Sequence, residues 1–158
     1  MFCQASEYAL RSLSELVRYP EGEWVLTAQL AKPHEIPVYY LAKVLQTLAR
    51  RGLLESQRGR NGGFRLSKHA GEISAYDVVL ALEDVRSLER CVMGEKECSD
   101  ATACPMHAMW KGFRSQFTEA LKTTSLKDLA AFQNLRPNFP QVGDHRSRKV
   151  AKGPPRTQ

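Results

Sequence analysis

The sequence predicts a mainly α-helical chain carrying one small β-hairpin, and three observations carry that prediction. Apolar residues recur at helical spacing, beginning with Ala9, Leu10, Leu13, Leu16 and Val17. Asn61-Gly62 lies between two short strand-like runs, Leu53 to Arg58 and Phe64 to Leu66, and marks a hairpin because both residues accept positive φ at low cost. Met106, Met109, Trp110, Phe113, Phe117 and Leu121 form a single stripe over about four helical turns.

Each element follows in order. Ala5 to Tyr19 is an amphipathic helix with Glu7, Arg11, Glu15 and Arg18 off its apolar stripe, and Pro20-Glu21-Gly22 stops it. Trp24-Val25-Leu26 is too short to assign. Thr27 is a suitable N-cap for a brief helix through Leu30 and Ala31, which Pro33 limits to about two turns. Pro37 opens the next helix at its first turn, where a missing N–H is harmless. Leu41, Val44, Leu45 and Leu48 make its buried face and leave Tyr39, Lys43, Gln46 and Arg50 on other faces. Arg51-Gly52 closes this helix ahead of the hairpin. Two short helices joined by a tight turn and followed by a hairpin make a winged helix-turn-helix, expected over residues 1–70.

A second unit is expected over residues 71–135. Ser74-Ala75-Tyr76-Asp77 resembles a capping box with Asp in the place of Glu or Gln, starting a helix to about Glu83. Val85 to Ala103 has no periodicity and reads as a loop, after which Pro105 starts the long striped helix. So small a chain has little left to cover that stripe, which reads as a dimerisation helix packed against its copy across a two-fold axis. Ser125-Leu126-Lys127-Asp128 starts a last short helix through Phe132, and residues 136–158, Pro-rich and basic, are expected to form a disordered tail.

The 158 residues are 42% hydrophobic and 25% charged, a globular balance, and no apolar run approaches the roughly 18 residues of a membrane helix. Met1 to Glu7 lacks the charged and apolar regions of a secretory signal, so a reducing, cytoplasmic setting is expected, with no membrane partner. No phosphate-binding glycine loop, nucleophile with its base, or spaced carboxylate pair occurs, so no catalytic residue is expected.

The net charge of +6 is unevenly placed. Pro37 to Lys68 holds seven Lys or Arg against Glu55, and Asp144 to Gln158 holds five against one acidic residue, while the remaining segments are slightly acidic. A basic segment on a helix-turn-helix and its wing suits a phosphate backbone. The candidate contacts are Thr27 on the first motif helix, Tyr39, Tyr40, Lys43 and Arg50 on the second, and Arg58, Arg60, Asn61, Gly62 and Arg65 in the wing.

Three of the four cysteines, Cys91, Cys98 and Cys104, fall with His107 inside seventeen positions. Thiolates and imidazole together suit zinc, copper or iron-sulfur chemistry. Structural zinc sites usually pair ligands two to four residues apart, and only Cys104 to His107 does so here. The wider gaps suit a cluster that bridges several strands of chain, with a zinc site or a reversible disulfide as the alternative. Cys3 lies outside this spacing and reads as a free thiol.

Over about residues 4–135 the chain resembles the bacterial winged-helix regulators of the IscR and NsrR kind. The matching pieces are Tyr8-Ala9-Leu10, Tyr40-Leu41, Arg58-Gly59-Arg60-Asn61-Gly62-Gly63-Phe64-Arg65-Leu66 and the three cysteines. The resemblance implies a homodimer on a pseudo-palindromic double-stranded DNA operator, with an iron-sulfur cluster in each subunit tuning affinity. That cluster is expected to be of the 2Fe-2S type ahead of 4Fe-4S. Two candidates stand at the fourth ligand position. His107 matches the histidine of one branch, and Glu7 matches the position from which the other branch supplies an acidic ligand across the dimer. Glu35-Ile36-Pro37 stands where the family commonly has Gly-Ile-Ser, and Ala42 where IscR has a glutamate in the recognition helix. The function implied is a transcriptional regulator, a repressor, sensing redox state, nitric oxide or iron-sulfur status. A thiol-disulfide or zinc-dependent regulator is the alternative.

Overall fold

A computed structural model of the chain describes residues 2–83, 91, 93 and 99–135. Its order is α1 (Gln4–Leu16), α2 (Thr27–Ala31), α3 (Val38–Arg50), β1 (Leu54–Gln57), β2 (Gly63–Leu66), α4 (Ala75–Leu82), α5 (His107–Thr123) and α6 (Leu126–Leu135), with short 3-10 turns at Lys32–His34, Ala70–Glu72 and Asp100–Thr102. The fold is the expected winged helix-turn-helix with a long helix after it. Cys98 and the tail beyond Leu135 lie outside the described residues.

Helix α1 is the central element and packs against α2, α3, α4 and α6. Its buried Ser12 and Ser14 donate to the carbonyls of Tyr8 at 2.8 Å and Leu10 at 2.7 Å, so their hydroxyls are satisfied within the helix itself. The helix ends earlier than the predicted Tyr19 because Arg18 and Tyr19 N–H groups turn back only three residues, to Glu15 and Leu16. One core joins both halves of the sequence: Leu13, Leu30, Leu41, Leu45 and Leu48 share it with Ile73, Val78 and Leu126.

The turn between α2 and α3 differs in detail from its sequence reading. Leu26, not Thr27, is the N-cap of α2, and the Gln29 side chain accepts its N–H at 2.9 Å. Pro37 is likewise one position early, as the N-cap of α3, where its carbonyl accepts from Leu41 at 3.0 Å. Glu35 sits between the two helices at φ 51°, ψ 32°, a left-handed conformation that glycine adopts at lower cost.

The hairpin pairs Leu54 with Leu66, Glu55 with Arg65, Ser56 with Phe64 and Gln57 with Gly63. Its loop is longer than a two-residue Asn-Gly turn, and positive φ falls on Gly59 (104°) and Gly63 (141°) instead of Asn61 and Gly62. Gly62 is required for a different reason: a Cβ there would lie 2.2 Å from the Gln57 carbonyl oxygen. The unassigned Trp24-Val25-Leu26 stretch supplies a third chain to the wing, since Val25 and Phe64 exchange backbone hydrogen bonds of 3.0 and 2.9 Å.

The expected capping box at the start of α4 forms, and a second one opens α6. Ser74 exchanges hydrogen bonds with Asp77, and Ser125 does the same with Asp128. A backbone bridge between Ser74 and Ser125 then staples the start of α4 to the α5–α6 junction.

Candidate nucleic-acid interface and metal centre

The exposed face of α3 carries Tyr39, Lys43, Gln46 and Arg50, spaced at three and four residues. Tyr39 is 74% exposed and the Lys43 ammonium stands 4.3 Å from its ring centre, a cation–π contact that orients both side chains outward. Tyr40 turns the other way, edge-on to Tyr8 with ring centres 5.6 Å apart, and ties α3 to α1. Arg50 donates to the Thr47 hydroxyl at 3.1 Å.

An open cleft of about 670 Å³ separates this face from the wing. Thr27, Gln46, Ser56, Gln57 and Arg58 line it, with the backbone of Gly59, Gly62 and Gly63, and no carboxylate is among its lining residues. Donors, one cation and exposed glycine backbone match what a phosphate strand needs. Arg60 and Asn61 are exposed at the wing tip. Gly62 is buried and shapes the loop, its N–H bonded to Gly59 at 3.1 Å.

Arg65 faces a second cleft, of about 700 Å³, beside Tyr19, Glu21, Lys68, Glu72 and Lys127. Glu55 takes two of its N–H donors and its guanidinium covers the Trp24 ring, so it braces the wing from behind. Gln46, which lines the first cleft, is absent from the sequence-derived set of candidates. Its place between Lys43 and Arg50 on one helical face is the signal that identifies it.

In the second half, His107 opens α5, is 7% exposed, and donates its backbone N–H to the Cys104 carbonyl at 2.9 Å. Cys91 is buried and its sulfur accepts from the Met93 N–H at 3.4 Å; Cys104 is half-buried. The His107 ring Nε2 lies 2.8 Å from Asp100 Oδ1, and Lys111 Nζ donates to both Asp100 oxygens. The Lys111 ammonium, with His107 beside it, holds the Asp100 carboxyl below the usual aspartate value. Asp100 carried no signal in the sequence, because its reach to α5 depends on how the loop folds.

Among the described residues no three His, Cys, Asp or Glu side chains converge to hold a metal. The chemistry of the donor set nonetheless fits a cluster: two cysteine side chains at least half-buried, a buried imidazole, and a third cysteine, Cys98, between the other two in sequence.

Glu7, the other candidate ligand, pairs with Arg11 at 2.6 Å on the rim of a groove of about 250 Å³ lined by Phe2, Leu10, Leu129 and Phe132. Phe2 also meets Phe117, which stacks on Phe113, which stacks on Trp110, each at 5.7 Å between ring centres. With Met109 58% and Phe113 39% exposed, the groove and the ridge on α5 form a continuous apolar surface. No helix among the described residues is long and apolar enough to cross a membrane.

Residues 2–131 match the family model of Rrf2, the iron-dependent transcriptional regulators. The chain is 34% identical over 132 residues to protein aau3 of Rhizobium meliloti, covering 78% of this chain and 80% of that one. It is 28% identical over 128 residues to the HTH-type transcriptional regulator IscR of Photorhabdus laumondii, covering 81% and 77%. Among solved structures it is similar to CymR, the global cysteine regulator of B. subtilis, with a TM-score of 0.71 and 25% identity, over 84% of this chain and 97% of that one. A DNA-binding winged helix, a basic reading face and a family match across nearly all described residues give one conclusion: the chain belongs to the Rrf2 family of transcriptional regulators.

Proposed function

We propose that the protein is a homodimeric, cytoplasmic repressor whose hold on a pseudo-palindromic operator is set by an iron-sulfur cluster bound to Cys91, Cys98, Cys104 and His107. Glu7 from the partner subunit is the other candidate for the fourth position. The observation that supports this reading is the placement of His107 at the first residue of α5, with Cys104 just ahead of the helix and its carbonyl accepting the His107 N–H, on the helix that also bears the exposed aromatic ridge. When bound, the cluster supplies one-electron redox chemistry and lability toward oxidants, nitric oxide or iron shortage. Cys91 and His107, both buried, would hold it against the head of α5, and Trp110, Phe113 and Phe117 would carry any shift of that helix to the seam between subunits. Half-sites lie roughly one DNA turn apart, so a small change in the seam alters how two α3 helices reach the grooves.

Anaerobically purified protein is expected to contain iron and labile sulfide, with visible charge-transfer bands lost in Cys104→Ala. Operator affinity should change on removal of the cluster, and Phe113→Glu should yield a monomer with weakened operator binding. Colourless, iron-free protein with full operator response would sink the cluster.

A second reading, a thiol-disulfide or zinc-dependent regulator, has support in the grouping of Cys91, Cys98 and Cys104 in sequence and in the likeness to a cysteine regulator. Zinc in place of iron, or reversible loss of free thiols on oxidation, would favour it.

A further inference from the structure

Asp100 lies in the short turn between Cys98 and Cys104 and reaches forward onto α5. Its Oδ1 is 2.8 Å from His107 Nε2 and 2.9 Å from Lys111 Nζ, and its Oδ2 is 2.8 Å from the same Nζ. His107 and Lys111 stand four residues apart on one helical face, so a single carboxylate bridges successive turns. The His107 side chain is 9% exposed and that of Asp100 76%. The ring is therefore held in the interior by a carboxylate that grips one edge of it from the solvent side.

A carboxylate gripped by a lysine ammonium accepts hydrogen bonds and donates none. The imidazole nitrogen facing it must be the donor, which selects the neutral tautomer with hydrogen on Nε2 and puts the lone pair on Nδ1. Metals bind the ring nitrogen that lacks the proton, and the hydrogen bond at the other nitrogen decides which one that is. We propose that Asp100 is a positioning residue that presents His107 to the cysteine set through Nδ1. It occupies Nε2, fixes the rotation of the ring, and is itself anchored by Lys111. This rests on His107 being the fourth ligand, and it adds which atom binds and what holds that atom ready.

The tautomer can be read in the metal-free protein. With isotopically labelled histidine nitrogens, in buffer alkaline enough to keep imidazoles neutral, the His107 signals are identified by their loss in His107→Gln. Wild type should show one tautomer with the proton on Nε2. Asp100→Ala should give a mixture of tautomers, and Asp100→Glu should restore the single form. A proton on Nδ1 in wild type, or unchanged spectra in Asp100→Ala, overturns the proposal. Because Asp100 is exposed, a matching thermal midpoint confirms that Asp100→Ala is folded.

Anaerobic reconstitution with ferrous iron and sulfide forms a separate arm. Asp100→Ala should lose the bound cluster about 10–100-fold faster than wild type and change its nitrogen hyperfine coupling, with Asp100→Glu close to wild type. Equal loss rates overturn the role of Asp100 toward the ligand set. Wild type that takes up neither iron nor sulfide refutes the cluster reading instead, while the histidine spectra still decide the tautomer.

Discussion

Arg65 holds Glu55 across the hairpin with two donors, Nε at 2.8 Å and Nη2 at 2.6 Å, and its guanidinium carbon lies 4.3 Å from the centre of the Trp24 ring. The wing's most strongly engaged arginine therefore faces away from the cleft that Arg58 lines.

Arg65 and Arg60 should consequently separate in their effects. Both partners of the Arg65 pair are partly exposed, so Arg65→Ala should lower the unfolding free energy by only about 1 kcal/mol in urea titrations. It should leave the salt dependence of operator binding unchanged. Arg60→Ala should leave stability alone and flatten the salt slope by about one unit if it meets a phosphate. A flattened slope in Arg65→Ala would show that Arg65 leaves Glu55 for the DNA.

Gln46 is exposed in the middle of the α3 face and opposite the wing. A glutamine at a base edge pairs best with adenine, through its N6 and N7 atoms, and discriminates by about 1–3 kcal/mol. Selection from a randomised operator library should return an adenine at one position of each half-site for wild type and lose that preference for Gln46→Ala. Identical selected sites would exclude Gln46 from base reading.

Glu35→Gly relieves a left-handed backbone that costs a non-glycine residue about 1–2 kcal/mol, partly offset by the extra freedom glycine has when unfolded. Net stabilisation of about 0.5–1 kcal/mol is expected, measured as a raised urea midpoint at unchanged slope. A lowered midpoint would mean that the Glu35 side chain has a role beyond the turn.

His34 gives the fold a pH dependence. Burial pushes its imidazole below the ordinary value of 6.5, against the pull of Glu15, and its Nε2 is buried without a hydrogen-bond partner among the described residues. The unfolded chain then binds a proton more readily than the folded one, so this contribution to stability is full above about pH 6.5 and is lost as pH falls below it toward the depressed folded value. Denaturation midpoints should drop between about pH 7.5 and pH 5.5 in wild type and drop less in His34→Leu. Equal losses in the two proteins would remove His34 from the acid sensitivity.

Local sequence carried the helices, the Ser74–Asp77 capping box and the hairpin, because periodicity and capping act over a few residues. Asn61-Gly62 announced a turn, yet its geometry was decided elsewhere. Gly63 takes φ 141° where a Cβ would come within 2.3 Å of the Val25 carbonyl, and Val25 arrives from a stretch with no pattern of its own. Cys91, Cys98, Cys104 and His107 stand out as a candidate ligand set through their spacing alone.

What the sequence determined without help is therefore the kind of molecule: a winged helix with a basic reading face and a long helix with an apolar stripe after it. Tertiary packing alone decided the assignments within it. Arg65 braces the wing because strand register sets Glu55 opposite it, the cleft joins Thr27 to Gln46 because α2, α3 and the hairpin meet there, and Asp100 reaches His107 through a loop contact. These depend on distances through space between segments remote in the chain, to which short-range patterns of hydrophobicity and charge are blind.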